Sequence, residues 1–220
     1  MDNPTTAKPN SWLTSRRVRA HSLILALGLW STYACWVLAT PGLLNRNGLV
    51  KGADFLHYYT LGSLAREHRG ADLYNMETQS ALAQQLVPEA GHLLYVPLYG
   101  PQVSLFFAPL SALPYGWALS LWLISNAAIY AACCHAVWRT CPHLRSEGLI
   151  VLIVALAYPA FFHLIAWGQT SGLALACFTL AYFALLSRRM LSAGLAIGCL
   201  MFKPQLGLAA AFVFLSLIHI

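Results

Sequence analysis

The chain has 220 residues, of which 59% are hydrophobic and 9% charged, with a mean hydropathy of +0.62. A typical soluble domain carries about 25% charged residues. This composition therefore excludes a disordered chain, a nucleic-acid-binding arm and an ordinary water-soluble enzyme. The net charge of +6 comes from sparse basic residues set between apolar stretches, which read as membrane topology signals under the positive-inside rule.

In chain order, residues 1–20 form a polar tail with Pro4, Pro9 and the basic group Arg16, Arg17 and Arg19. Residues 21–40 are an apolar run of the length a spanning helix needs, about 20 residues. No small-x-small cleavage site follows at Thr40-Pro41-Gly42, so the run reads as an uncleaved first transmembrane helix rather than a signal peptide. Between residues 41 and 114 the composition changes. This stretch holds Asp54, Glu67, Asp72, Glu77 and Glu89, and also Tyr58, Tyr59, Tyr74, Tyr95 and Tyr99. Residues 60–69 and 77–86 read as short amphipathic helices, broken by Gly70-Ala71-Asp72 and Pro88. Residues 102–113 are apolar but short and flanked or interrupted by Pro101, Pro109 and Pro114, which suits a re-entrant or interfacial helix.

Further apolar runs cover 115–138, 149–167, 170–187, 190–202 and 205–220. With the N-terminus cytoplasmic and 102–113 not spanning, Arg139, Arg145, Arg188 and Arg189 fall inside with Arg16, Arg17 and Arg19. The expected fold is thus an all-α polytopic membrane protein with about six transmembrane helices. Its first extracytoplasmic loop, 41–114, is large, and 115–220 carries helices two to six. Gly168-Gln169 and Lys203-Pro204 then lie on the outer side with that loop.

None of the six cysteines has CxxC spacing. Cys133, Cys134, His135, Cys141 and His143 cluster in sequence, but not at zinc-site spacing, and read as a helix end rich in small residues. No metal site is expected. No P-loop, Gly-rich dinucleotide turn or GxSxG elbow is present.

Asp54 is the acid of most interest. A carboxylate held among aromatics at a membrane surface gains basicity and can act as a general base. The alternative is a helix N-cap ahead of the aromatic run that follows. His57, three residues on, either contacts an anionic substrate or is a solvated interfacial histidine. Tyr58 and Tyr59 either stack on a sugar or belong to an interfacial belt. Lys203 interrupts an apolar region and either neutralises a phosphate or snorkels to the interface. Gln169, in Gly168-Gln169-Thr170-Ser171, is either a polar donor or part of a plain turn. Taken together on one side, these groups suggest a cavity open to the outer leaflet.

The order of these residues resembles the GT-C superfamily of membrane glycosyltransferases. The likeness is to glycosyltransferase family 87, the polyprenol-phosphate-mannose-dependent alpha-mannosyltransferase-like proteins. It rests on Asp54-Phe55 with Tyr58-Tyr59, on Gly70-Ala71-Asp72-Leu73-Tyr74 and on Tyr99-Gly100-Pro101. It continues through Pro109-Leu110, Leu113-Pro114, Gly168-Gln169, Ala193-Gly194 and Lys203-Pro204, so that it covers roughly residues 20–210. The family usually has a Pro pair where this chain has Gly100-Pro101, and often Asn where this chain has Ser171.

The resemblance implies an inverting hexosyltransferase of the plasma membrane, acting at the extracytoplasmic face. The sugar, mannose-like, comes from a polyprenyl-phosphate donor and goes to a hydroxyl of a glycolipid or glycan acceptor. It implies Asp54 as base, Lys203 toward the phosphate, Gln169 as a donor to sugar or phosphate, and His57, Tyr58, Tyr59 and Tyr99 lining the site. No cofactor and no nucleic-acid partner are implied, and metal dependence varies across the superfamily. The competing functions are a transporter or flippase for lipid-linked sugars, and a non-catalytic membrane subunit. The resembled proteins are longer. Leu215 to Ile220 coincides with the translation of a sequencing adapter end, so the expectation is a C-terminally truncated chain whose residues 215–220 are artefactual.

Overall fold

The computed structural model describes residues 14–91 and 93–218, with side chains described up to residue 213. The greater part of the 1–20 tail and the last two residues of the 215–220 segment lie outside the described residues. Among the described residues the protein is all-helical, and extended backbone pairs only at the isolated antiparallel bridge Leu44–Val50.

The first helix, α1 (Ser15–Tyr33), runs on through a π turn, Ala34–Leu38. It begins six residues before the apolar run does. Thr14 caps it, its hydroxyl accepting from Arg17 N at 3.3 Å, so that Arg16, Arg17 and Arg19 ride on its first turns. The Ser15–Leu38 unit and α5 (Tyr115–Arg139) are long and apolar enough to cross a membrane. Large apolar side chains such as Leu23, Ile24, Leu27 and Ile124 point outward from them, as lipid-facing residues do.

The expected span at 149–167 is broken. It forms α6 (Gly148–Ala157) and α7 (Pro159–Trp167), with a 51° bend between Pro142–Ala157 and Pro159–Trp167. Pro159 has no N–H to give to the Ala155 carbonyl. Tyr130 Oη of α5 supplies that bond instead, at 2.8 Å, and Trp30 Nε1 of α1 donates to the neighbouring Leu156 carbonyl at 2.9 Å. The kink is thus satisfied by side chains from the two long helices. Counted as one span, the bent pair brings the number of spans by length and composition to three. The remaining helices, α8 (Ser171–Leu186), α9 (Met190–Gly198) and α10 (Pro204–Ile218), are apolar but shorter. The 16 residues of α8 extend about 24 Å at the helical rise.

Between α1 and α5 lies a small helical cap. Its central element, α2 (Ala53–Arg66), starts seven residues earlier than the pattern suggests. It is buried along most of its length, with Phe55, Leu56, Tyr58, Leu61 and Leu64 at its core, as a helix apolar on all sides must be. Gly52 opens α2 at φ +67°, a left-handed conformation natural to glycine. Tyr115 Oη locks that turn by donating to the Lys51 and Gly52 carbonyls at 2.6 and 3.1 Å. The cap is completed by α3 (Met76–Leu86), capped by Asn75, and the short α4 (Pro101–Phe107). The 102–113 stretch therefore holds all but the first residue of α4 and a single 3-10 turn, Leu110–Ala112, with no helix long enough to span a membrane. At Gly62 a Cβ would lie 2.6 Å from the Phe107 carbonyl oxygen, so α4 approaches to the very backbone of α2.

Candidate active site

Asp54 sits in the first turn of α2, not at its cap: the cap position belongs to Gly52. Freed from capping, the Asp54 carboxylate accepts from Gln169 Nε2 at 2.5 Å, across 115 residues of sequence. The N-cap reading of Asp54 is overturned, because the glycine takes the left-handed turn and leaves the acid inside the helix. The half-buried carboxylate is pushed above the ordinary carboxylate range by burial, while the Gln169 hydrogen bond and the Lys203 charge act the other way.

Gln169 follows α7 across a turn opened by Gly168 at φ +69°. Two residues one turn apart on α5 hold that turn. Trp122 Nε1 donates to the Gly168 carbonyl at 2.9 Å and Asn126 Nδ2 to the Gln169 carbonyl at 3.2 Å. Both side chains are buried. A Cβ on Gly168 would fall 2.7 Å from Phe55 Cβ, so the absence of a side chain lets the turn lie directly on α2.

Lys203, in the break before α10, donates to Ser171 Oγ at 2.9 Å, and Ser171 Oγ in turn reaches Gln169 Oε1 at 3.4 Å. Asp54, Gln169, Ser171 and Lys203 thus form one hydrogen-bonded chain from carboxylate to ammonium. The serine that stands where the resembled family often has asparagine is a link in it. Burial lowers the Lys203 ammonium below its usual range, and the Asp54 charge opposes that.

The other expected site residues divide. Tyr58 Oη and Tyr99 Oη share a hydrogen bond at 2.9 Å, and the Tyr58 hydroxyl also faces Thr170, beside Gln169. Both tyrosines border the site. Tyr59 is turned away: its hydroxyl donates to the Leu113 carbonyl at 2.7 Å, and its ring packs on Phe55 and Tyr115. His57 is neither solvated nor open to a ligand. It is buried, stacked on Tyr95 at a centroid distance of 4.4 Å, and bonded to Gln79 at 3.0 Å. Gln79 gives its amide to the Leu73 carbonyl, so its oxygen is the acceptor and His57 Nε2 carries the proton. Burial pushes the imidazole down to about 4, which keeps it neutral.

Sequence reasoning did not single out Trp122, Asn126, Tyr95 or Gln79. Asn126 carried a readable signal, a polar residue inside an otherwise apolar helix. Tyr95, whose hydroxyl donates to the Ala53 carbonyl at 2.8 Å, lies in an extended segment with no period to read. Among the described residues no three His, Cys, Asp or Glu side chains converge as a metal-binding group.

Among the described residues the protein is all-helical, with helices long and apolar enough to cross a membrane, and its carboxylate–amide–hydroxyl–ammonium chain gathers where α2 starts and the breaks before α8 and α10 meet. Residues 98–217, more than half of the chain, match glycosyltransferase family 87. The protein belongs to that family and is a glycosyltransferase. Tyr99, Gln169, Ser171 and Lys203 fall inside the matched stretch, whereas Asp54, His57, Tyr58 and Tyr59 precede it. No match was found among curated proteins or solved structures.

Proposed function

We propose that the protein is an inverting hexosyltransferase. It transfers a mannose-like sugar from a polyprenyl-phosphate donor to an acceptor hydroxyl, with Asp54 as the base. The observation that carries this reading is the hydrogen-bonded chain from Asp54 through Gln169 and Ser171 to Lys203.

The acceptor hydroxyl gives its proton to the Asp54 carboxylate as its oxygen bonds to the anomeric carbon. The bond from that carbon to the phosphate oxygen breaks, and its electron pair leaves with the lipid phosphate. Lys203 offsets the charge of the departing phosphate. Gln169 fixes one carboxylate oxygen and leaves the other for the acceptor. Phosphate is already a competent leaving group, so the protein has chiefly to position two reactants and accept one proton. Tyr58 and Tyr99 border the sugar.

In this reading α8, α9 with the turn after it, and α10 each cross the membrane. With α1, α5 and the bent α6–α7 pair they make six spans. The N-terminus and the arginines at 139, 145, 188 and 189 are cytoplasmic, and the α2–α4 cap lies outside the plasma membrane. The acceptor is a glycolipid or glycan.

The test is Asp54→Asn in the full-length protein, assayed for transfer from polyprenyl-phosphate mannose. The amide keeps the shape and the Gln169 contact but takes no proton, so turnover falls by about 100-fold or more. Turnover within a few-fold of the unaltered protein would remove Asp54 as base.

A further inference from the structure

A concavity of about 210 Å³ is formed by the end of α1 with its π turn, the 45–51 loop, the start of α2 and the end of α7. Ala53, next to Asp54, forms part of its wall, and so does Trp167, two residues before Gln169. Its wall thus includes the first residue of α2 and the last residue of α7, while Asp54, Gln169, Ser171 and Lys203 are not part of it.

Its chemistry is unusual for this chain. Trp30, Trp122 and Trp138 each give the indole N–H to a backbone carbonyl. Trp36 and Trp167, both in the wall of the concavity and both 41% exposed, have no such partner among the described residues. The side-chain amide of Asn47, also in the wall, has none either. The loop that carries it is nonetheless fixed. Asn45 Oδ1 accepts from Asn47 N and Leu49 N at 2.9 and 3.1 Å, and Lys51 Nζ donates to the Thr40 carbonyl at 2.7 Å. The π turn at Ala34–Leu38 carries Trp36 into the wall; such turns recur at functional sites. An interfacial belt spreads its rings around a bundle, whereas these two converge from different helices on one polar loop.

A sugar ring fits this chemistry. Its C–H face stacks on indole, and its hydroxyls take up free indole N–H and amide groups. Resting on the glycosyl-transfer reading above, we propose that this concavity is a subsite for a pyranose ring of a substrate, held by Trp36, Trp167 and Asn47.

The experiment is saturation-transfer NMR on the full chain in detergent, with a panel of methyl hexopyranosides as probes. At least one glycoside shows transfer in the unaltered protein. Transfer falls by about fivefold or more in Trp36→Ala and Trp167→Ala, and by about twofold in the surface variant Asn47→Ala. It is unchanged in Trp117→Ala, an exposed tryptophan away from the concavity. Absence of transfer for every glycoside, or equal transfer in the Asn47 and both pocket tryptophan variants, overturns the proposal. Adding polyprenyl-phosphate mannose separates two sources of the ring. Displacement of the glycoside assigns the subsite to the donor sugar, and persistence assigns it to the acceptor. Asp54→Asn retains the signal, so a failure of Asp54 as base and a failure of the subsite give different results.

Discussion

Gly168→Ala tests whether the active-site geometry depends on one missing side chain. The residue has φ +69° and ψ 39°, and holding alanine there costs about 1–2 kcal/mol of backbone strain. The added Cβ meets Phe55 Cβ at 2.7 Å. Phe55 is fully buried among Tyr59, Phe107, Tyr115 and Trp122, and its Cβ is fixed to the α2 backbone. The turn must therefore move, at an overpacking cost of about 1–3 kcal/mol. The total, on the order of 2–5 kcal/mol, corresponds to a fall in Tm of roughly 5–15 °C for a chain of this size. The moving turn carries Gln169 away from Asp54, so transfer falls as well. The assay is thermal unfolding in detergent, with Gly28→Ala as the control. Gly28 lies inside α1 with nothing within 4 Å of its added Cβ, and alanine there leaves Tm unchanged or raises it. Gly168→Asn separates the two costs. Asparagine tolerates the left-handed turn, so recovery would point to strain, and an equal loss points to the Phe55 contact. A Gly168→Ala protein with the Tm and transfer rate of the unaltered chain would refute the packing argument.

Gln169→Leu removes the hydrogen bond that lowers the Asp54 pKa, so the acid limb of the kcat/KM profile moves to higher pH. Lys203→Gln moves it in the same direction, by loss of the lysine charge; a limb unmoved in both variants would contradict the proposed base. His57 is neutral in the folded protein, with its imidazole pushed from 6.5 down to about 4. Its contribution to stability is present above pH 6.5 and is lost as pH falls toward 4, amounting to about 3 kcal/mol. His57→Gln removes that part of the pH dependence. Chemical unfolding of both proteins between pH 4 and 7 reads the difference in slope, and parallel curves would show that His57 protonates freely. Tyr130→Phe leaves the Ala155 carbonyl without its side-chain donor and lowers stability by about 1 kcal/mol, measured by the same unfolding.

The two long apolar helices and the short helices α3 and α4 were legible because composition and proline placement act locally. The 149–167 run was less so. Its apolar content is continuous, and only Pro159 marks the 51° bend that Tyr130 and Trp30 then stabilise. The start of α2 at Ala53 was not legible because tertiary contacts fix it, the Tyr115 hydroxyl holding the left-handed turn at Gly52. At the site, the residue types at 54, 169 and 203 marked them as polar exceptions in an apolar chain. Their connection was not legible, since Asp54 and Gln169 are 115 residues apart. The surroundings of His57 and Tyr59 were not legible for a related reason. His57, Tyr58, Tyr59 and Thr60 are all buried, and only the positions of Gln79, Tyr95 and Leu113 decide which of them turn away from the Asp54 chain.

The proposed chemistry also accounts for the distance kept between the two charges. A direct Asp54–Lys203 ion pair would lower the carboxylate pKa by about 1–3 units and weaken it as a base. It would also occupy the ammonium that the leaving phosphate needs. Ser171 and Gln169 stand between them instead, with neutral dipoles that orient both groups and neutralise neither. Burial raises the Asp54 pKa, and the remaining lysine field limits that rise. The result is a carboxylate that is more basic than usual and still subject to a positive field, with an ammonium left free for a second reactant. Replacing Ser171 with alanine would remove the link while leaving both charges. Transfer should then fall through misplacement of Lys203, with a rise in KM for the phosphate-bearing donor and little change in the acid limb of the pH profile.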